Sequence, residues 1–226
     1  MTAYMMKDIS KIDTIIFDLD GTLLDTLDDL TDSVNYALEK HGLPMRSRAE
    51  VRRFLGNGAE VLMNSAVDGR LSEDGSAKCI ETFKNYYKEH MNYKTKPYDG
   101  VMELIHVLLK KGYKLAIVSN KFDAAVKGLN KEYFEGLFPV AIGESERVSR
   151  KPAPDTVLKA LDELKSSCDR AIYVGDSEVD YKTARNSGLP CVSVTWGFRD
   201  EDLFVELGSD YIIHNPLQLL DLLNIQ

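Results

Sequence analysis

The chain has 226 residues, of which 44% are hydrophobic and 28% charged, and its formal net charge is −8. This length and composition predict a globular protein with one large domain, or a core domain with a smaller insert. The negative charge and the lack of a Lys/Arg cluster argue against a nucleic-acid partner, because a phosphate backbone needs clustered cations.

The cysteines and the apolar runs bound the environment of the chain. Cys79, Cys168 and Cys191 are far apart and odd in number, so we expect neither a disulfide scaffold nor a zinc site. A reducing, cytoplasmic location follows as an expectation. No signal peptide is expected, and no run approaches the roughly 20 apolar residues of a membrane span, so no membrane partner is expected. The sequence leaves monomer and homodimer open.

Short apolar runs alternate with amphipathic segments along most of the chain. In chain order, the runs predict strands at "TIIFDLD", 114–120, 138–143, 171–176 and 191–197, with a short edge strand at "DYIIHN". Amphipathic patterns predict helices over 123–134, 153–166 and 178–188. This alternation indicates the α/β class, with a parallel sheet covered by helices on both faces.

The stretch from about residue 28 to 93 differs, because it has helical patterns and no convincing strand. Its first helix stops near Gly42, a plausible C-terminal cap, and another begins at Ser47 with Glu50 at capping-box spacing. We therefore predict a helical cap domain over 26–94, inserted into a core domain formed by 1–25 and 95–226.

Carboxylates gather at predicted strand ends. The stretch "IIFDLDGTLLDT" places Asp18 and Asp20 after the first strand, with side chains on the same side. Asp176 ends another strand, and Asp180 follows one helical turn later. The carboxyl ends of parallel strands form one edge, so these groups are expected to converge. Such a set needs a cation, and Mg²⁺, which prefers oxygen ligands, fits it.

Donors for an anion follow at other predicted loops. Ser119 and Asn120 end the strand "KLAIVSN", and Lys151 in "SRKPAPD" lies just before a predicted helix. With Mg²⁺ these groups suit a phosphoryl group. Asp18 is then expected to attack phosphorus and form an aspartyl-phosphate, and Asp20 to protonate the leaving oxygen and afterwards activate water. Lys151 would keep Asp18 ionised.

Each signal also has a simpler structural interpretation. A pair of aspartates commonly marks a surface turn, and Ser119 with Asn120 could cap a helix. Asp176 and Asp180 could be an N-cap and a first-turn acid. The occurrence of all four segments in a workable order favours the catalytic interpretation.

Together, "DLDGTLLDT", "VSNK", "RKPAPD" and "VGDSEVDYKTARNSG" resemble the four signature segments of the haloacid dehalogenase superfamily. The resemblance covers nearly the whole chain and implies a Rossmann-like core of strand order 5-4-1-2-3 with a helical cap inserted after the first segment. It also implies a set of site residues: Mg²⁺ is held by Asp18, the Asp20 backbone carbonyl and Asp176, the phosphoryl group by Ser119 and Lys151, and the metal's waters or Lys151 are supported by Asp180.

The cap segment "FLGNGAEVL" resembles the specificity loop of phosphoglycolate phosphatases, in which Gly56, Asn57 and Gly58 would face the substrate. A flexible glycine turn before a helix is the alternative. The expected activity is that of a Mg²⁺-dependent phosphatase for a small phosphorylated, phosphoglycolate-like metabolite. A sugar phosphomutase, an inorganic pyrophosphatase and a non-catalytic module that binds a phosphorylated ligand remain alternatives.

Overall fold

The computed structural model describes residues 9–146 and 148–225. Most of the stretch on which the signal-peptide expectation rests lies outside these ranges. The strands are β1 (Thr14–Phe17), β2 (Leu24–Asp25), β3 (Lys96–Pro97), β4 (Lys114–Phe122), β5 (Val140–Glu144), β6 (Ala171–Gly175), β7 (Cys191–Val194) and β8 (Tyr211–Ile213). The helices are α1 (Leu27–Lys40), α2 (Arg48–Phe54), α3 (Gly58–Val67), α4 (Glu73–His90), α5 (Val101–Lys110), α6 (Asp123–Phe134), α7 (Asp155–Glu163), α8 (Glu178–Asn186), α9 (Glu201–Leu207) and α10 (Gln218–Leu222).

Six strands form a parallel sheet in the order β5-β4-β1-β6-β7-β8. If only these strands are counted along the chain, the order is 6-5-4-1-2-3. The expected order 5-4-1-2-3 is contained in it, and the difference is the edge strand β8, which pairs with β7. The α/β class and the parallel sheet are confirmed.

The sheet is buried on both faces because alternate side chains of its strands enter different hydrophobic clusters. In β1, Ile15 and Phe17 join the cluster that includes side chains of α5, α6 and α10. Ile16 between them joins the cluster with α7 and α8. Because β4, β1 and β6 are neighbouring parallel strands, the loops that follow them lie at the same edge of the sheet.

The segment between β2 and β3 is helical, as predicted, and α1 to α4 share a hydrophobic cluster that includes Val34, Met63 and Phe83. The capping box at α2 is present, because the Ser47 side chain accepts the Glu50 N–H while the Glu50 carboxylate accepts the Ser47 N–H. Among residues 9–146 and 148–225, every helix is too short or too polar to cross a membrane.

One strand boundary differs from the expectation. The sequence predicts that the strand starting at Lys114 ends at Asn120, whereas β4 continues to Phe122. Its pairing with β5 shifts register between Val118 and Phe122. The polar residues 119–121 therefore lie in an irregular stretch inside the strand, where ladder pairing is interrupted.

Candidate active site

Asp18 lies directly after β1, and its backbone N–H donates to the Val174 carbonyl at 2.9 Å, so the strand pairing fixes its position. Its carboxylate is buried, and Oδ1 accepts from the Lys151 ammonium at 2.6 Å. In the part of the chain that the structure describes, Oδ2 has no hydrogen-bond partner, and Asp18 lines a cavity. One oxygen is thus fixed and the other is available to a ligand.

Lys151 is a fully partnered buried cation. Besides Asp18, its Nζ contacts Asp180 Oδ1 at 2.8 Å, the Tyr173 hydroxyl at 3.0 Å and the Val118 carbonyl at 3.2 Å. Burial favours the neutral form, but the charges of Asp18 and Asp180 outweigh it and hold the pKa of Lys151 above its ordinary value. The ammonium is therefore charged at neutral pH.

Asp180 has a structural and an electrostatic role at once. Its Oδ2 accepts from the Ser177 N–H at 3.1 Å and from the Ser177 hydroxyl at 2.5 Å, while the Ser177 side chain accepts the Asp180 N–H. Ser177, and not Asp176, is thus the N-cap of α8. This capping box fixes Asp180, which in turn fixes Lys151.

Carboxylate oxygens of Asp18, Asp176 and Asp180 lie within 4.8 Å of one another. Asp176 accepts from the Phe198 N–H at 2.7 Å and the Thr22 hydroxyl at 3.2 Å. Burial raises the pKa of Asp18 to about 7, with Lys151 opposing and the nearby carboxylates adding to the rise. Burial and the charges of Asp180 and Asp18 hold the pKa of Asp176 well above its usual range. The cluster has excess negative charge and hard oxygen donors, which suits a divalent cation such as Mg²⁺.

The Asp20 carboxylate lies outside that cluster. It accepts from the Lys121 ammonium at 2.8 and 2.9 Å and from the Thr26 hydroxyl at 2.7 Å. The Asp20 side chain is therefore not part of the cluster, and its role in proton transfer and the metal role of its backbone carbonyl stay predictions.

Lys121 is the site residue that sequence reasoning missed. Burial disfavours its charged form, but the charge of Asp20 outweighs burial and holds the pKa of Lys121 above its ordinary value. It lies two residues after Ser119, in the irregular part of β4. Its partner is distant in sequence, and its burial is not visible in the motif.

Ser119 and Asn120 both line the cavity, but their side chains differ in availability. The Ser119 hydroxyl accepts the Lys121 N–H at 3.2 Å and can still donate. The Asn120 amide donates to the carbonyls of Gly56 and Lys151 and accepts the Lys151 N–H at 2.8 Å. The Asn120 side chain thus positions Lys151 and the loop before α3, and phosphate binding by this residue stays a prediction.

Two of the three predicted cap residues reach the cavity. Gly56 and Gly58 line it, whereas Asn57, at the start of α3, is not among its lining residues. Arg199 links this loop to the core, because it donates to the Leu55 carbonyl at 2.8 Å and pairs with Glu178. The backbone of this loop favours glycine, since Gly56 and Gly58 have φ angles of 110° and 83°.

The cavity lies between the sheet edge and the helical insert. Its core wall is polar and includes Asp18, Asp20, Ser119, Asn120, Asp176 and Ser177. Its other wall is mainly apolar and includes Leu30, Leu55, Leu62 and Phe83 of the insert, with Phe122 and Phe198 of the core packed against the insert. A small ligand with a charged end directed to the sheet would match this division.

Known proteins are similar to this chain in sequence and in structure. The sequence model of the haloacid dehalogenase-like hydrolases matches residues 15–194. A phosphoglycolate phosphatase of Mesorhizobium japonicum is 35% identical over 192 residues, which cover 82% of this chain and 84% of the relative. The pyrophosphatase PpaX of Halalkalibacterium halodurans is 28% identical over 217 residues, with coverages of 96% and 99%. A crystal structure from Haemophilus somnus, described as a predicted phosphoglycolate phosphatase, has a TM-score of 0.88 at 30% identity, with coverages of 95% and 99%.

The family match covers most of the chain, and the chain therefore belongs to the haloacid dehalogenase-like hydrolases. Within that family it is a phosphatase, a phosphoric monoester hydrolase, and it resembles phosphoglycolate phosphatase in sequence and structure. The resemblance stated from the signature segments is thereby confirmed.

Proposed function

We propose that this phosphatase is Mg²⁺-dependent and hydrolyses a small phosphorylated metabolite, of the phosphoglycolate type, through an aspartyl-phosphate on Asp18. The observation that carries the proposal is the Asp18 carboxylate, with Oδ1 fixed by Lys151 and Oδ2 without a partner among the described residues at the cavity wall. A carboxylate held in this way is directed at a ligand before the ligand arrives.

The chemistry then divides into two displacements. The free oxygen of Asp18 attacks phosphorus, the bond from phosphorus to the leaving oxygen breaks, and Asp20 gives that oxygen its proton. Water next attacks the aspartyl-phosphate while Asp20 takes the water's proton, so inorganic phosphate leaves and both aspartates return to their starting states. The Ser119 hydroxyl and Lys151 stabilise the phosphoryl oxygens.

The metal role falls to Asp18, Asp176 and the backbone carbonyl of Asp20. When bound, Mg²⁺ supplies positive charge that offsets the carboxylates and admits a phosphate dianion. Asp180 is close enough to join the cluster, but its oxygens are occupied by Lys151, Tyr173 and Ser177. We assign it to holding Lys151.

Residues 26–94 serve in this proposal as a cap domain over the site. The apolar wall and the loop at Gly56 and Gly58 would exclude bulk water and contact the leaving group. Inorganic diphosphate is a second candidate substrate, because the pyrophosphatase PpaX matches along nearly the whole chain.

Phosphate release from 2-phosphoglycolate, inorganic diphosphate and an aryl phosphate tests the proposal, with Mg²⁺ or with a chelator. We expect release only with Mg²⁺, and a loss of at least about 10⁴-fold in the Asp18→Asn variant, because the uncatalysed reaction is extremely slow. Asp32→Asn is the matched control, since Asp32 is a half-exposed aspartate paired with Lys94.

Other outcomes separate the alternatives. Substantial turnover by Asp18→Asn would contradict the nucleophile assignment. Isomerisation of a sugar phosphate without phosphate release would indicate a phosphomutase. No phosphate release from any substrate of a broad panel would favour a module that only binds phosphorylated ligands.

A further inference from the structure

Lys121 places a positive charge at the junction of the polar and apolar walls. Its side chain is only 4% exposed, and its ammonium contacts both oxygens of Asp20. The ammonium also lies 4.5 Å from the centroid of the Tyr87 ring, which belongs to α4 of the insert. The charge therefore lies beside the group that protonates the leaving oxygen, and it faces the insert.

Tyr87 adds an unused donor at the same place. It is fully buried and lines the cavity, yet its hydroxyl makes no hydrogen bond of ordinary geometry with the described residues. A buried hydroxyl without a partner costs about 1–3 kcal/mol. A ligand that offers an acceptor in the cavity would remove that cost.

Two other cations near the cavity are committed to partners of their own. Lys151 is surrounded by Asp18, Asp180 and neutral acceptors. Arg199, which lines the cavity, pairs with Glu178 and donates to backbone carbonyls of the insert. Among the described lining residues, Lys121 is thus the cation with the fewest partners.

We propose that Lys121 and Tyr87 form a subsite for a second anionic group of the substrate. The enzyme then selects phosphate esters or anhydrides that carry a carboxylate or a phosphate close to the leaving oxygen. A leaving oxygen at Asp20 lies next to the ammonium, so an anion one or two bonds away can contact it. This inference rests on the proposed function, because it takes Asp20 as the acid for the leaving oxygen.

The test compares 2-phosphoglycolate with 2-hydroxyethyl phosphate, which is similar in size but has a neutral leaving group. The wild type should prefer phosphoglycolate by about 10- to 150-fold in kcat/KM, the worth of a hydrogen bond to a charged group. Lys121→Met should remove most of that preference, because kcat/KM should fall more for phosphoglycolate than for 2-hydroxyethyl phosphate; the fall shared by both substrates reports the contact of the ammonium with Asp20. Lys121→Arg should restore part of it.

Tyr87→Phe extends the test to a more conservative variant, because it keeps the buried ring and removes only the hydroxyl. It should lower kcat/KM for phosphoglycolate by about 2- to 12-fold, as for one neutral hydrogen bond, and leave 2-hydroxyethyl phosphate unchanged. Lys127→Met is the matched control for charge, since Lys127 is an exposed lysine paired with Asp123. This control should leave kcat/KM unchanged for both substrates.

Each of the following results would overturn the inference. Equal losses for both substrates in folded Lys121→Met would mean that the lysine acts only through Asp20. Equal use of both substrates by the wild type would remove the subsite and leave the proposed function intact. Release from neither substrate, nor from an aryl phosphate, would end the proposed function and the subsite with it. If Lys121→Met does not fold, an unchanged preference in Tyr87→Phe and Lys121→Arg counts against the subsite.

Discussion

Two buried lysines of the site pair with aspartates of the same short segment, yet their surroundings differ. Lys151 contacts Asp18, Asp180, a tyrosine hydroxyl and a backbone carbonyl, all from the core. Lys121 contacts Asp20 and the ring of Tyr87 from the insert. The first lysine is saturated by the protein, and the second is not.

Under the proposed function, this difference assigns Lys151 to catalysis and Lys121 to substrate selection. A buried charge with every donor occupied is held in place and can act on any phosphate group that reaches Asp18. A buried charge with one anionic partner, next to a cavity, can respond to the rest of the ligand. Lys151 is thus expected to matter equally for all substrates, and Lys121 more for substrates with an anionic leaving group.

Among the variants that compare the two lysines, Lys151→Met should have the largest effect. Two buried carboxylates, Asp18 and Asp180, lose their shared cation, and a phosphoryl group at Asp18 loses a nearby positive charge. We expect kcat to fall by about 10³-fold for both 2-phosphoglycolate and 2-hydroxyethyl phosphate. The metal-free protein should lose about 3–5 kcal/mol in the free energy of unfolding, measured by urea denaturation.

Lys159→Met is the control for this prediction, because Lys159 is a half-exposed lysine that pairs only loosely with Glu163. It should leave both kinetics and stability nearly unchanged. A loss in Lys151→Met confined to the anionic leaving group would erase the distinction between the two lysines.

The acidic cluster should make Mg²⁺ stabilisation depend on pH. The folded pKa of Asp18 is about 7 against an ordinary value of 3.8, so between these values the folded state holds the proton that the unfolded state has lost. This group therefore lowers the free energy of unfolding of metal-free protein as pH rises from about 4 to 7. Mg²⁺ competes with that proton, so its stabilising effect should be larger at pH 8 than at pH 5.5.

Thermal unfolding measures this effect. At 100 times Kd, Mg²⁺ should add about 2.7 kcal/mol, or about 5–10 °C in Tm for a chain of this size. Asp176→Asn should lose most of the gain, whereas Lys121→Met should keep it. An equal Mg²⁺ gain in both variants would show that the ion is held elsewhere.

The main features of the fold follow from local patterns. Apolar runs buried on both faces and amphipathic helices predict the parallel sheet and the helical insert. The ribbon of β2 and β3 has two residues in each strand, too few to show a periodicity, and it depends on tertiary pairing of Leu24 with Pro97. The extension of β4 to Phe122 was missed because polar residues 119–121 indicate a strand end.

The positions of side chains at strand ends could be predicted from the sequence, whereas contacts between residues far apart in the chain could not. Asp18 and Asp176 come together because strand ends of a parallel sheet meet, which the sequence implies. The bond from Lys121 to Asp20 spans 101 positions, and the ring of Tyr87 comes from the insert. No local spacing encodes such contacts, so the lysine of "VSNK" could not be assigned from its motif.

A smaller effect is expected where the insert is attached to the core. Arg199→Lys keeps the positive charge but loses the forked donors to the Leu55 and Arg52 carbonyls. Because the insert supplies Tyr87, loosening it should weaken the subsite, raise KM for 2-phosphoglycolate about tenfold, and spare kcat for 2-hydroxyethyl phosphate. Arg170→Lys, at an exposed pair with Asp13, is the control. A fall in kcat for both substrates would show that Arg199, like Lys151, affects the catalytic step and not only the subsite.

The smallest expected effect comes from Tyr173→Phe, which pairs with Tyr87→Phe as a comparison of two buried hydroxyls. The Tyr173 hydroxyl contacts Lys151 and Asp180 at 3.0 Å each, so its loss should lower stability by about 0.5–1.5 kcal/mol and kcat about threefold for both substrates. Among the described residues the Tyr87 hydroxyl has no hydrogen bond of ordinary geometry, so its loss should leave stability unchanged or higher and affect only the substrate with an anionic leaving group. Urea denaturation and kinetics on the two substrates measure both. If the two variants change stability and kinetics in the same way, the assignment of Lys151 to catalysis and Lys121 to substrate selection is wrong.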